Sequence, residues 1–277
     1  MLLAGNLFAI LPVGNGAAKA RAGKCDVKNT RMRCRSSTAR VVDDRVGLAE
    51  AYLAAEAPRV AGRLRIAGRL RIAGDYREEV RIETSGGPAE IELDKPRKAA
   101  FLLLLTHGSG GGVDAKDLLA VRDCAYELGG AVARVVQPYR VAGRRAPGSP
   151  VKQDEAWLEI VADLRKRVKK VPLISGGRSN GARVACRTAI AADARGVLAL
   201  SFPLHPPGKP EKTRREELLA PGEIEVVVIN GANDPFGVPD SGDAAEVRVI
   251  PGQSHSFRSG FDIIAETVTP WLARWSS

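Results

Sequence analysis

Two observations predict an α/β fold for this sequence, with a mostly parallel central sheet and helices on both faces. From residue 99 onward, short apolar runs alternate with helix-period segments of ten residues or more, as expected of strands joined by helical crossovers. The conspicuous polar motifs of that region also begin directly after apolar runs, where open α/β sheets build their sites.

The ordered texture begins near residue 78. Residues 80–84 and 89–93 alternate apolar and polar side chains around Ser85-Gly-Gly-Pro88 and read as an antiparallel pair with one wet face. Residues 99–106 are apolar on both sides, as a strand covered on both faces requires. A helix is expected over 114–129, with Leu118, Leu119, Val121, Cys124 and Leu128 on one stripe. A strand over 131–139 follows, then a basic Pro/Gly-rich loop over 140–150 and a helix over 155–169. Next come a strand over 172–175, a helix over 180–193 and a strand over 196–203. A loop over 204–213 leads to strands over 223–230 and 245–250. The closing helix, 261–275, contains Pro270, which is expected to kink or divide it.

The first quarter of the chain differs. Residues 1–75 hold 14 Lys/Arg against 6 Asp/Glu, and residues 76–277 hold 28 against 26, so most of the formal +10 lies in the first 75 residues. That stretch reads as a basic, partly disordered N-terminal extension or a start site placed too far upstream, and residues 76–277 as the folded α/β domain. Residues 1–12 are apolar without a basic lead and make a poor signal peptide. Residues 46–57 suit one short amphipathic helix, and Ala-Gly-Arg-Leu-Arg-Ile occurs at 61–66 and again at 67–72. The alternation of those two copies suits an exposed strand or nothing ordered. A nucleic-acid tail is unlikely here because no aromatic platform accompanies the arginines.

Composition excludes several classes. No apolar run is long enough to span a membrane. Four cysteines in 277 residues do not make a disulfide scaffold, and Cys25 and Cys34 have no histidine nearby to complete a metal site, so a cytoplasmic protein without metal or cofactor is expected.

The organising stretch is residues 171–187, an apolar run that meets Gly177-Arg-Ser-Asn-Gly181 and continues into a helix-forming segment. Gly-x-Ser-x-Gly at a strand-to-helix turn is a nucleophile elbow with Ser179 at its apex. The glycines two residues to either side remove Cβ atoms that would crowd the turn. The helix that follows offers unpaired amides and a dipole to a developing negative charge. A chain of this Gly and Ser content yields about 0.15 such pentapeptides by chance, so the surroundings decide.

They supply the missing parts. The three histidines, 107, 205 and 255, all follow strands. A serine hydroxyl needs an imidazole to take its proton and a carboxylate to hold that imidazole in the right tautomer. His255 is the candidate base and Asp234 the candidate acid, in the chain order Ser, Asp, His; Asp240 and Asp243 are nearby competitors. The oxyanion donors are expected to be the backbone amide of Asn180 and an amide of the glycine-rich loop, Ser109 or Gly110. His107 either lines the pocket or anchors that loop. Arg178, Arg144, Arg145 and His205 sit on the same rim and either attract an anionic substrate or are ordinary exposed side chains. The glycine-rich loop lacks the Gly-Lys-Ser/Thr ending of a phosphate loop and the Rossmann spacing.

Together Thr106-His-Gly-Ser-Gly-Gly111, Gly177-Arg-Ser-Asn-Gly-Ala-Arg-Val-Ala185, Phe202-Pro-Leu-His-Pro-Pro-Gly-Lys-Pro-Glu-Lys-Thr-Arg214, Gly231-Ala-Asn-Asp-Pro-Phe-Gly237 and His255-Ser-Phe257 resemble the α/β-hydrolase superfamily. Within it the match is to the KANL/Tex-like group, which is similar to the dienelactone hydrolases. The resemblance covers residues 99–275 and implies an α/β-hydrolase fold with a small or absent lid and a triad of Ser179, Asp234 and His255. Dienelactone hydrolases use cysteine as nucleophile, so Ser179 favours a general esterase-like activity on a small-molecule acyl substrate. Some relatives are scaffold subunits, which makes a catalytically silent binding protein the alternative. A homodimer is compatible with the sequence.

Overall fold

The structure is a computed structural model that describes residues 63–66, 69–72 and 76–276. The expectations for residues 1–62, and for Cys25 and Cys34, lie outside the described residues. Within the basic quarter, the two copies of Arg-Leu-Arg-Ile form strands β1 (Arg63–Ile66) and β2 (Arg69–Ile72), paired antiparallel.

The main sheet has eight strands in the order β10-β9-β8-β7-β5-β6-β4-β3. They are β3 (Tyr76–Thr84), β4 (Gly87–Lys95), β5 (Leu102–Thr106), β6 (Ala131–Val136), β7 (Leu173–Arg178), β8 (Gly196–Leu200), β9 (Val226–Gly231) and β10 (Glu246–Ile250). The expected antiparallel pair is there, with Val80 opposite Ile91 and Ile82 opposite Ala89. β4 also runs antiparallel to β6, and the neighbours from β6 to β10 are all parallel.

Strand β5 shows why the sheet is covered on both faces. Its four leucines are at most 1% exposed; Leu102 and Leu104 pack into one core, Leu103 and Leu105 into another, as a period of two dictates. The first core is closed by Trp157, Ile160 and Leu164 of helix α3 (Pro150–Arg167). The second is closed by Leu118 and Val121 of helix α1 (Lys116–Glu127) and by Ile264, Val268 and Trp271 of helix α6 (Phe261–Leu272). A third core packs helix α4 (Asn180–Thr188) on β8 and β9 through Ala182, Ala185 and Cys186. Each buried leucine contributes about 1.5–3 kcal/mol, so β5 is a principal anchor of the sheet.

Several boundaries differ from expectation. The 131–139 strand stops at Val136, because Pro138 opens the short helix α2 (Pro138–Val141). Helix α3 begins at Pro150 rather than at 155; proline is tolerated in a first turn, where its missing N–H has no intrahelical partner to lose. Pro270 neither divides nor ends α6, which continues to Leu272 with Trp271 and Leu272 buried before a 3₁₀ turn over Ala273–Trp275. Packing outweighs the lost hydrogen bond there. Helix α5 (Arg215–Leu219) was not expected; buried Leu218, and Glu217 bound by Arg183 and Arg187, hold it.

The connection from β8 to β9 carries only α5, and its loop is tied down by Arg214 N donating to Leu204 O and by His205 N donating to Phe236 O. No lid domain covers the sheet end among the described residues. Nor is any described helix long and apolar enough to cross a membrane.

Candidate active site

The order β6-β5-β7-β8 means that the chain leaves β5 in one direction and returns on its other side, so the loops after β5 and β7 diverge at that point. A crevice at such a reversal is where open α/β sheets bind ligands. Ser179 follows β7, and the glycine-rich loop follows β5.

Ser179 has φ 54° and ψ −114°, a strained backbone for a residue with a Cβ. It persists because the surroundings fix it. The Ser179 amide donates to Leu200 O at 2.8 Å, and α4 starts at the next residue. A Cβ on Gly177 would lie 2.8 Å from Thr106 O, and one on Gly181 2.6 Å from the same atom, so both positions must be glycine for the elbow to reach β5.

His255 lies 2.8 Å from Ser179 through Nε2···Oγ, and its Nδ1 lies 2.8 Å from Asp234 Oδ2. The Asp234 side chain is fully buried and that of His255 is 17% exposed. The carboxylate also accepts the Phe236 amide through Oδ1 at 2.9 Å, so it caps its own turn while facing the imidazole. Asp243 is turned elsewhere: it accepts from Arg215 Nε at 2.6 Å and from the Asp240 amide. Asp240 is exposed.

The glycine-rich loop reaches the serine through a residue the sequence reading had not singled out. A Cβ on Gly108 would stand 3.2 Å from Ser179 Cβ, whereas one on Gly110 would meet nothing within 4 Å. Gly110 is exposed, at the tip of the turn closed by Gly111 N donating to Gly108 O. Ser109 directly follows the contact residue. Asn180 is buried at the first position of α4, where an amide has no intrahelical acceptor.

His107 is fully buried. If Nδ1 carries the proton, as the neighbours require, it donates to Gly108 O at 2.8 Å while Nε2 accepts the Gln137 amide at 3.1 Å. Burial, with a smaller push from Arg140, holds it below the ordinary histidine range. It anchors the loop and does not line a pocket. Arg140, also unforeseen, ties the loop's far end through Nε to Gly111 O at 3.2 Å.

The rim residues separate. His205 is bound to Pro206 O through Nδ1 and packs where a Cβ on Gly237 would be, beside the acid's loop. Arg144 and Arg145 are exposed, and Arg144 lines a cavity of about 440 Å³ with Gln137, Tyr139, Lys152 and Trp157. None of Ser179, Asp234 and His255 lines that cavity. Arg178 points inward, pairing with Asp117 at 2.8 Å and donating to His255 O at 2.7 Å, so it is not an ordinary exposed side chain. Phe236 lies against the His255 ring, with centroids 4.2 Å apart. Its signal was visible in Gly231-Ala-Asn-Asp-Pro-Phe-Gly237, but no spacing rule assigned it a role. Asp117 carried no signal beyond being in a helix. Among the described residues no cluster of three or more His, Cys, Asp or Glu is placed to hold a metal ion.

A serine at a strained strand-to-helix turn, at the switch point of a parallel sheet and without a lid, has the architecture of the α/β hydrolases. The family described as alpha/beta hydrolase domain matches residues 99–260, more than half of the chain, and the chain belongs to that family. Similar solved structures include a serine hydrolase homologue from Coxiella burnetii, 17% identical with a TM-score of 0.58, the match covering 71% of this chain and 97% of the other. A serine hydrolase without a lid from Xanthomonas campestris is 17% identical with a TM-score of 0.56, covering 72% and 94%. A dienelactone hydrolase from Anabaena variabilis is 15% identical with a TM-score of 0.57, covering 73% and 98%. At these identities the likeness defines the fold. No curated protein matches the sequence.

Proposed function

We propose that this protein is a serine hydrolase that cleaves an ester or another activated acyl bond of a small molecule through an acyl-enzyme at Ser179. The observation that supports the reading is the unbroken chain from Ser179 Oγ to His255 Nε2 and from His255 Nδ1 to Asp234 Oδ2, each link 2.8 Å.

In this reading the buried Asp234 carboxylate accepts a hydrogen bond from Nδ1–H and so keeps the proton on that nitrogen, which leaves Nε2 as an acceptor facing the serine. His255 takes the Ser179 proton as Oγ attacks the acyl carbon, then delivers it to the departing alkoxide. The tetrahedral oxygen is received by the backbone amides of Asn180 and Ser109. Both are backbone groups fixed before the reaction begins, so they need no reorganisation as charge develops. Water, deprotonated by the same imidazole, then attacks the acyl-enzyme and the proton returns to Ser179.

Arg144 and Arg145 are exposed, and their contribution to any preference for an anionic acyl substrate is read from their variants. A panel of chromogenic esters of neutral and anionic acids tests the reading. Turnover by the wild type that falls by at least about 10³ in Ser179→Ala is expected; an ester hydrolysed equally by both proteins would refute the assignment.

A further inference from the structure

Arg178 ends β7 and directly precedes Ser179, yet its side chain is only 14% exposed. One guanidinium addresses three loops. Its Nε forms a 2.8 Å ion pair with Asp117 Oδ2 in the first turn of α1, where the carboxylate side chain is 4% exposed. Its Nη2 donates to the backbone carbonyl of His255 at 2.7 Å and to Ser256 Oγ at 2.8 Å. Its Nη1 faces the glycine-rich loop, 3.6 Å from where a Cβ on Gly108 would be.

The base needs such a support. His255 lies on irregular backbone between β10 and α6, and Ser254 and Ser256 on either side are exposed. Asp234 fixes one ring nitrogen and Phe236 lies on a ring face; both of these contacts are to the imidazole. Among the described residues the hydrogen bond to that carbonyl comes from Arg178. A planar fork held at Nε by a buried carboxylate presents Nη2 in a fixed direction, which the single ammonium of lysine does not.

We propose that Arg178 is a positioning residue: it holds the His255 loop to the strand that ends in Ser179, and Asp117 fixes its guanidinium for that purpose. The inference rests on the Ser179–His255 reading above and adds to it the group that sets their approach. It also explains why an arginine stands beside the nucleophile without serving the substrate.

The test compares the full-length wild type with Arg178→Gln, Arg178→Lys and the double variant Asp117→Asn/Arg178→Gln. The double variant removes both buried charges together, so neither is left unpaired if Arg178→Gln alone does not fold. Two readouts are taken: the rate of labelling by a fluorophosphonate, resolved into saturating rate and half-saturating concentration, and the downfield proton NMR signal of His255 Nδ1–H. Arg178→Gln and the double variant are expected to lose roughly 10- to 100-fold in saturating rate, with half-saturation changed by less than about twofold. Arg178→Lys is expected to recover part of that loss. The Nδ1–H signal should persist in Ser179→Ala and broaden away in the glutamine variants. A double variant that labels at the wild-type rate with its signal intact overturns the proposal. A wild type that shows the signal but takes no label refutes the hydrolase reading, while loss of the signal in the glutamine variants would still support the positioning role.

Discussion

The loops that follow β5 and β10 each carry a histidine whose two ring nitrogens are both engaged, by partners of different kinds. The ring nitrogens of His107 meet backbone, a carbonyl on one side and an amide on the other, and the residue is fully buried. His255 meets a buried carboxylate on one side and the Ser179 hydroxyl on the other, and keeps part of its surface open. A position just past a strand therefore marks the neighbourhood of a site, and the chemical type of the partners decides the role. An imidazole bonded to backbone has no proton to exchange with a substrate; one between a carboxylate and a hydroxyl does.

The largest expected effects come from the second histidine. His255→Ala and Asp234→Asn should each lower kcat by about 10³ to 10⁴, and combining either with Ser179→Ala should add little, because the three act as one unit. Steady-state kinetics on whichever ester the panel identifies checks this, and additive losses would break the contrast.

His107→Gln should behave differently. Losing the bonds that anchor the glycine-rich loop should cost about 1–3 kcal/mol of stability, with a loss of activity far smaller than that of His255→Ala. Its pH dependence sharpens the point. Burial holds the His107 pKa below its ordinary value, so below about pH 6.5 the unfolded chain takes up a proton that the folded chain does not. Its contribution is complete above that pH and is lost as the pH falls toward the lowered value. Urea midpoints measured at pH 7.5 and 5.5 should drop for the wild type, and drop less for His107→Gln. Equal drops would remove His107 as the cause.

The smallest effects are expected at the exposed rim. Arg144→Ala and Arg145→Ala should change stability by no more than about 0.5 kcal/mol. If an anionic ester is a substrate, its KM should rise at low ionic strength in these variants and converge with the wild type as salt is added. A neutral ester should show neither change.

Much of this was legible in the sequence because the signals were local. The leucines of β5 reveal a strand covered on both faces, and Gly177 and Gly181 reveal the crowded turn. The order Ser179, Asp234, His255 could be read because each residue lies in the loop or turn that follows a strand. The roles of His107 and Arg178 could not be read this way. Both depend on which groups the fold brings to a side chain from 30 to 77 residues away: the Gln137 amide for one, Asp117 and the His255 carbonyl for the other. The surroundings of Asp243 were of the same kind, since the arginine that binds it, Arg215, is 28 residues away. Pro270 and Pro150 show the remaining limit, since local propensity marks a breaker while packing and first-turn position decide whether the helix breaks.

The central claim is that Ser179 is the nucleophile, and the most direct measurement is the intact mass of the protein after reaction with a fluorophosphonate, followed by peptide mapping of the adduct. The account predicts one adduct per chain, located on Ser179 and absent from both Ser179→Ala and His255→Ala. A folded wild type that stays unmodified, or an adduct on another residue that persists in Ser179→Ala, would contradict it.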